Sequence, residues 1–385
     1  MSRENRALLV GYSTEKTFRH FVNYALDASP EVDILDLSLV KDCRSLTISE
    51  SPDDLIVEID NTSFQFSRYA AFFNRSYWAD LGSQPRNQTL DRLTRAIAAW
   101  LILCPATVFN RPGSGMSNAN KFAHGMMLKK MGFLIPSTLV TSVGEIIRDS
   151  DGIGIELVSK SCSSTKTRTV ALDDSLLERA GTLGNCPGLF QHRVFGADVR
   201  VHWVDGLLLA ERIESARVDY RFADHPADSA RHIICDVPDD VARLCQEYCN
   251  TQNLRLAGFD FKITVDKEQW VILEVNPMPG FESYDRRQYN RISKAVLDSL
   301  LSGERTPLAA TDVFCRAAKI SPSESPGCNN DLGVSDARGG NESDRESERN
   351  TQSAGDTDSL FVSEDRRPQI RPFYTNALLV RKSSR

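Results

Sequence analysis

The 385-residue sequence lacks any run of about 18 apolar residues, the length that a helix needs to cross a bilayer. The apolar stretch within its first residues, MSRENRALLVGY, is too short for a secretory signal. An excess of positive charge is also lacking: the net charge is −6 at pH 7 and the isoelectric point is about 5.7, so no basic field attracts nucleic acid or anionic lipid. These absences predict a soluble, cytoplasmic protein that acts on small molecules or peptides and binds neither nucleic acid nor membrane.

The nine cysteines include no Cys-x-x-Cys pair, and their number is odd. The closest two, Cys245 and Cys249, lie four residues apart in a predicted helix, with no histidine nearby in sequence to complete a zinc site. The spacing therefore disfavours a metal or redox site and favours buried free thiols.

The first 112 residues alternate between strand and helix signals. The segments ALLVGY and VDILDLS flank a predicted helix whose apolar residues have the spacing of one buried face: Phe18, Phe21, Val22, Ala25 and Leu26. Two further strand segments, at 55–59 and 70–75, precede a helix predicted over 89–103. This alternation predicts a doubly wound α/β domain with a parallel sheet.

Beyond residue 112, closely spaced strand segments replace the alternation. After a helix predicted over 118–131, they run IELVSKS, TRTVAL, GLFQHRV, DVRVHWV, LLLAERI, FDFKITV and WVILEVN. Strands that follow one another with few helices favour antiparallel pairing, so we predict a mostly antiparallel sheet system beside the first domain.

The composition changes again after a helix that carries Ile292, Val296 and Leu300. Residues 321–357 contain no aromatic side chain and little aliphatic surface, which cannot offset the entropy of ordering the chain. We predict a disordered acidic linker over 304–357. The tail at 358–385 regains apolar residues, and two alternatives are open: it packs against the rest of the protein, or it extends freely into solvent.

The strongest local pattern is GFDFKITVDKEQWVILEVNPMPG, in which Asp260, Glu274 and Asn276 interrupt apolar strand positions. A three-residue loop at 266–268 would set Asp260 opposite Glu274, with the three polar residues on one face of the hairpin. The apolar positions Phe259, Phe261, Leu273 and Val275 would then form the other face. Such an oxygen cluster suits Mg²⁺ and ATP phosphates, and the alternative is the exposed polar face of an amphipathic hairpin.

The combination of GFDF and LEVNP, with Lys121 and Lys160 upstream, resembles the metal-binding strands of ATP-grasp ligases such as glutathione synthetase and the glutamate-adding ligases. The stretch from NRPGSGMS to LVTS and the later PGLFQHRV are similar to the ligases that cyclise ribosomal peptides in microviridin-type pathways. The resemblance implies an α/β N-terminal domain, 1–112, followed by an ATP-grasp domain of two α+β subdomains, 113–190 and 191–303, with ATP between them.

The resemblance also implies roles for individual residues. Lys121 and Lys160 would reach ATP phosphates, and 161–168 would form the phosphate-covering loop, although the usual glycines are absent. Asp260, Glu274 and Asn276 would hold the metal. The hinge that pairs with adenine through its backbone would comprise Gln191, His192, Arg193 and Val194, and Asp198, Arg200 and Arg212 match the family's Asp-x-Arg pattern and its later arginine.

The two arginines conflict with a local signal. Asp205-Gly206 predicts a two-residue hairpin that pairs residue 204 with 207 and so places Arg200 and Arg212 on opposite faces. Both can line one cleft only if the loop is odd in length or a bulge intervenes, and Arg221 is a reserve candidate.

Two histidines, His124 and His202, are available as bases, and for both ordinary packing or exposure is favoured over catalysis. We expect the first domain and residues 281–289 to shape the acceptor pocket, with Arg75, Tyr77 and Trp78 as candidates for its rim.

On this resemblance we expect an ADP-forming ligase of the carboxylate–amine type. ATP would phosphorylate a carboxylate of a peptide or amino-acid-like substrate, and a nucleophile would then displace phosphate to give an amide or ester. ATP and Mg²⁺ are the implied cofactors, with a second metal ion, replacement by Mn²⁺ and a homodimer left open. The alternatives are a phosphotransferase on the same scaffold and a non-catalytic nucleotide- or peptide-binding protein.

Overall fold

The computed structural model describes residues 4–42, 45–51, 53–76, 88–147, 156–162, 169–175, 178, 184, 186–215, 217–218 and 230–302. All of them belong to one unit, Met1–Leu308. The predicted linker at 304–357 and the tail at 358–385 lie outside the described residues. Within the described part of the chain, no helix has the combined length and apolarity needed to span a bilayer.

The N-terminal part contains a four-stranded parallel sheet. Its elements, in chain order, are β1 (Glu4–Gly11), α1 (Lys16–Ala28), β2 (Val32–Asp36), β3 (Leu46–Ser51), β4 (Asp54–Ile59), β5 (Thr62–Gln65), β6 (Tyr69–Asn74), α2 (Gln88–Leu103) and β7 (Thr107–Phe109). The parallel sheet has the order β2-β1-β6-β7. The segment at 55–59 does form a strand, β4, but it belongs to a separate antiparallel sheet with β3 and β5.

Both faces of the parallel sheet are covered, which explains the unbroken apolar run in β1. Ala7 and Leu9 face α1, whereas Leu8 and Val10 face α2. In α1 the predicted face is buried except for Leu26, which is 41% exposed and lies at the edge of that face. The doubly wound prediction therefore holds for this sheet.

The remaining elements form two antiparallel sheets and four helices among the described residues. In chain order they are α3 (Lys121–Lys130), β8 (Thr138–Thr141), β9 (Leu157–Lys160), β10 (Val170–Ala171), β11 (Gly188–His192), β12 (Gly196–Val204), β13 (Leu207–Glu214), β14 (Arg231–Cys235), α4 (Asp239–Thr251), β15 (Leu256–Thr264), β16 (Trp270–Asn276), α5 (Glu282–Arg287) and α6 (Arg291–Leu301). The sheet orders are β10-β9-β11-β8 and β14-β13-β12-β15-β16, with all pairs antiparallel, as predicted.

One face of the five-stranded sheet packs on α3 and α4. The other face is polar where it lines the cavity, whereas Val204, Leu209 and Leu256 on that face are buried in the core that contains α6. The buried layer against α3 and α4 includes Val201, Phe259 and Phe261 of the sheet and Cys245 and Cys249 of α4. Both cysteines are free and fully buried, and burial raises the pKa of their thiols above its usual value. The prediction of buried free thiols is confirmed for this pair.

The β15–β16 hairpin has the predicted pairing of Asp260 with Glu274, but its turn and its register near the turn differ from the prediction. Asp260 does pair with Glu274, but nearer the turn Ile263 pairs with Trp270, so the predicted three-residue loop is wrong. The register shifts by one residue between these pairs, and Ile272 rather than Leu273 enters the core. Leu273 therefore turns to the polar side, where it lines a cavity.

Gly196, the first residue of β12, allows a test of how closely β12 packs against β15. Its φ is +147°, and a Cβ there would lie 1.8 Å from the backbone oxygen of Ile263. We expect Gly196→Ala to lower the free energy of unfolding by about 3 kcal/mol or more, measured by chemical denaturation. Gly125→Ala, inside α3 with no atom within 4 Å of the added methyl, should instead raise it by about 0.5–1 kcal/mol. A Gly196 variant as stable as the parent would contradict the strand packing.

Candidate active site

A cavity of 610 Å³ is lined by the sheets β10-β9-β11-β8 and β14-β13-β12-β15-β16, by the segment that joins them, and by the helices α3 and α5. It brings together eleven of the twelve residues predicted for the site: Lys121, Lys160, Gln191, His192, Arg193, Val194, Asp198, Arg200, Asp260, Glu274 and Asn276. Arg212 is not among its described lining residues.

The predicted metal-binding side chains converge. The amide nitrogen of Asn276, Nδ2, donates hydrogen bonds to Asp260 Oδ2 and to Glu274 Oε1, each at 3.2 Å. The amide therefore lies between the two carboxylates. No group of three or more His, Cys, Asp or Glu side chains suited to a metal occurs in the described chain. Two carboxylates fit Mg²⁺ nevertheless, because this ion keeps water or phosphate oxygens as its remaining ligands. The amide oxygen of Asn276 accepts from Asn118 Nδ2 at 3.0 Å and would have to turn towards the ion to join them.

Positive charge flanks this triad on two sides. Arg200 Nη1 lies 2.6 Å from Asp260 Oδ1, and Lys121 Nζ lies 3.9 Å from Glu274 Oε2. Lys160, near the end of β9, lines the same cavity from the facing sheet. The arrangement alternates cations and carboxylates, as a site for a polyphosphate with a divalent ion requires.

His124 supports the triad from behind. The backbone N–H of Val275 donates to His124 Nε2 at 3.0 Å, which joins α3, and hence Lys121, to the strand of Glu274 and Asn276. The His124 side chain is 1% exposed, and its burial lowers the pKa to about 4. Its position fits the predicted packing role, because a neutral ring accepts the strand's hydrogen bond. His202 is also fully buried and accepts from Arg200 Nε at 3.4 Å.

The depressed pKa of His124 predicts acid sensitivity. The unfolded chain takes up this proton near pH 6.5 and the folded one only near pH 4, so stability present above pH 6.5 falls as the pH drops towards 4. The loss should approach about 3 kcal/mol from this group. Urea denaturation between pH 7 and 4 should show a shallower fall for His124→Gln, which retains an acceptor. An unchanged slope would contradict the buried neutral ring.

The strand register places polar residues in a row across four adjacent strands. Glu274 pairs with Asp260, Asp260 with Arg200, and Arg200 with Glu211. Val204 pairs with Leu207, so the predicted two-residue hairpin is correct.

This register moves Arg212 away from the cleft. It pairs with Val199, whose side chain belongs to the layer beneath the sheet, and its guanidinium lies 3.6 Å from Glu214. Because side chains alternate along a strand, Arg212 cannot share the face of Arg200, and the structure does not bring it to the site. The reserve candidate, Arg221, lies outside the described residues.

The sequence reasoning missed Lys262, which lines the cavity and donates to Asp198 Oδ2 at 3.0 Å. The sequence did indicate this position: Lys262 lies two residues after Asp260, so its side chain is expected on the same face of the strand. Asp198 is therefore held by a cross-strand lysine.

The sequence reasoning also missed Glu211 and His232, and within the predicted 281–289 segment it did not single out Arg287. Glu211 is buried, and hydrogen bonds join it to the other two. These residues are far apart in sequence, and no spacing pattern connects them.

The segment between β11 and β12 contains the predicted adenine-binding hinge. The backbone N–H of His192 donates to Ser137 O at 2.9 Å, and that of Arg193 donates to Glu156 O at 2.8 Å. Two of the hinge's backbone N–H groups therefore already donate to backbone oxygens of the protein. Gln191 Oε1 is buried and has no hydrogen-bond partner among the described residues.

The predicted pocket rim needs correction. Arg75 is 1% exposed and binds Glu15 and the backbone oxygen of Pro279, so it joins structural elements and is not a rim residue. Tyr77 and Trp78 lie outside the described residues, as does most of the predicted phosphate loop, 163–168. From the 281–289 segment, Ser283, Tyr284 and Arg287 do line the cavity.

Comparisons with known proteins show similarity in structure only. No protein-family model and no curated protein matches the sequence. The structure is similar to that of the ATP-grasp ligase PsnB complexed with a minimal precursor, with a TM-score of 0.65 and 22% identity over 78% of this chain and 99% of that one. PsnB also matches in a complex with minimal precursor, Mg and ADP.

Two further matches carry peptides. The macrocyclase MdnC from Microcystis aeruginosa MRC, bound with the precursor peptide MdnA, has a TM-score of 0.64 and 16% identity over 77% of this chain and 100% of that one. A Chryseobacterium gregarium RiPP-associated ATP-grasp ligase, in complex with ADP and a leader and core peptide, has a TM-score of 0.64 and 17% identity over 79% and 100%. The chain therefore has the fold of the ATP-grasp ligases.

Proposed function

We propose that this protein is an ATP-dependent ligase that activates a carboxylate of a peptide as an acyl phosphate and joins it to a nucleophile of that peptide. One observation carries the proposal: Asp260, Glu274 and Asn276 converge in a cavity that Lys121, Lys160 and Arg200 also line. This donor set suits the phosphates of ATP with Mg²⁺.

The nucleotide would lie between the two antiparallel sheets that line the cavity, β10-β9-β11-β8 and β14-β13-β12-β15-β16. Val158 and Leu273 offer apolar surface to the adenine, and the backbone of Val194 and Phe195 offers hydrogen bonds to its edge. The unpartnered Oε1 of Gln191 fits an amino-group donor such as that of adenine. The phosphates would then extend towards Lys121 and Lys160.

The chemistry that this chain supplies is positioning and charge neutralisation. Bound Mg²⁺ would neutralise phosphate charge as ATP reacts. Lys121 and Lys160 would hold phosphate oxygens from two sides, and Arg200 would stabilise the charge that develops on the acyl phosphate. Arg200 is prepared for this role because Asp260 and His202 fix its guanidinium.

A peptide substrate is favoured by the relatives, since PsnB, MdnC and the Chryseobacterium ligase are all described with precursor peptides. The 610 Å³ cavity continues beyond the phosphate site to Tyr284 and Arg287, where a substrate side chain could enter.

The experiment uses purified protein, ATP, Mg²⁺ and synthetic peptides encoded by short reading frames that flank the gene. We expect ADP and phosphate in equal amounts and a peptide whose mass falls by that of one water. A peptide that gains a phosphoryl group would instead show a phosphotransferase. Absence of any ATP-dependent product with all of these peptides would overturn the proposal.

A further inference from the structure

A second buried polar cluster lies on the cleft floor, at the opposite end of the polar row from Glu274. Its centre is the Glu211 carboxylate, which is 1% exposed. It accepts hydrogen bonds from His232 Nδ1 at 3.0 Å, from Gln288 Nε2 at 3.0 Å and from Arg287 Nε at 2.9 Å. Nucleotide binding gives no reason for a buried acid at this place.

The contacts define which nitrogen of the His232 ring donates to Glu211. Burial alone would raise the pKa of Glu211, but the hydrogen bonds from His232, Gln288 and Arg287 lower it below its usual value. An ionised carboxylate can only accept, so Nδ1 of His232 must donate. Because Nδ1 is held by Glu211, Nε2 is the imidazole nitrogen that faces away from this carboxylate and can take a proton.

The ring also lies in a suitable place. His232 and Arg287 line the same cavity as Asp260 and Glu274. Three strand spacings, roughly 14 Å in all, separate β14 from the strand of Asp260. That is too far for His232 to be a metal ligand, and it leaves room for a phosphorylated carboxylate and its attacking group between them.

We propose that His232 is the general base of the bond-forming step and that Glu211 is the residue that positions it. This inference rests on the proposed ligase function. As the nucleophile's nitrogen or oxygen bonds to the acyl carbon, its proton passes to His232 Nε2. The bond from that carbon to the phosphate oxygen breaks, and phosphate leaves with the electron pair.

The test separates the two half-reactions with hydroxylamine, which captures an acyl phosphate as a hydroxamate without help from a protein base. The probes are hydroxylamine and the flanking-gene peptide that the unmodified enzyme dehydrates. We expect His232→Asn to slow dehydration by about 100-fold or more while hydroxamate formation stays within about threefold. Added imidazole should restore part of the dehydration rate.

A matched control is Arg231→Gln, which changes the preceding residue of β14, where the side chain is 75% exposed. It should alter neither product. Glu211→Gln should slow dehydration more than hydroxamate formation, because the amide can present its N–H to Nδ1 and favour the wrong tautomer.

Two results with the His232 variant would overturn the inference alone: unchanged dehydration, or an equal loss of dehydration and hydroxamate without rescue by imidazole. An unmodified enzyme that forms neither hydroxamate nor ADP with these peptides would overturn the ligase function and this inference with it.

Discussion

Glu274→Gln should reduce ATP turnover by about 10³-fold or more while the protein remains folded. The change keeps the shape of the side chain and removes the negative charge that faces Asn276 Nδ2 at 3.2 Å and Lys121 Nζ at 3.9 Å. Without that charge the site loses one of two carboxylates for a divalent ion, and the phosphates lose their alignment with Lys121. The measurement is the rate of ADP release with the peptide that the parent enzyme uses.

The matched control is Glu58→Gln on β4, where the side chain is exposed and lies in a different sheet. It should leave the rate unchanged. A Glu274 variant that retains a tenth or more of the parent rate would count against a metal role for this carboxylate.

Arg75→Met should be strongly destabilising, because it removes the buried partner of an ion pair and leaves the Glu15 charge behind. The Arg75 side chain is 1% exposed, binds both oxygens of Glu15 at 2.9 and 3.2 Å, and donates to Pro279 O at 3.0 Å. We expect a loss of about 3–5 kcal/mol in the free energy of unfolding. The melting temperature should fall by roughly 10 °C, measured by calorimetry.

The control for this prediction is Arg95→Met. That arginine pairs with Asp91 one turn away on α2, but its side chain is 73% exposed, so the loss should stay below about 0.5 kcal/mol. Adding Glu15→Gln to the Arg75 variant should recover part of the loss, since the uncompensated charge is removed. Equal losses for Arg75 and Arg95 would contradict the buried linkage.

The sequence predicted those features that depend on periodicity or on a local turn. The apolar spacing in α1 and α2 and the Asp205-Gly206 hairpin follow from rules that need no distant contact. The pairing of Asp260 with Glu274 agrees with the prediction only because a turn one residue longer than predicted is offset by a one-residue bulge in β16. The face of Leu273 did not follow, because a one-residue shift within β16 reversed it, and nothing in the local sequence marks that bulge.

Sequence reasoning was weakest where distant segments meet. Arg75 looked like an exposed functional residue, and only the approach of Glu15 and Pro279 shows it to be buried. The group of Glu211, His232 and Arg287 spans two strands and a helix, so no spacing rule could have found it. Lys262 could have been found, since it shares the face of Asp260 on one strand.

The central claim is that Asp260, Glu274 and Asn276 gather a divalent ion that holds the nucleotide's phosphates. Electron paramagnetic resonance of Mn²⁺ titrated into the protein with ADP tests it directly and counts the ions bound per chain. We predict nucleotide-dependent Mn²⁺ binding by the parent protein and its loss in Asp260→Asn and Glu274→Gln, with Glu58→Gln unaffected. Equal Mn²⁺ binding by all four proteins would contradict the claim.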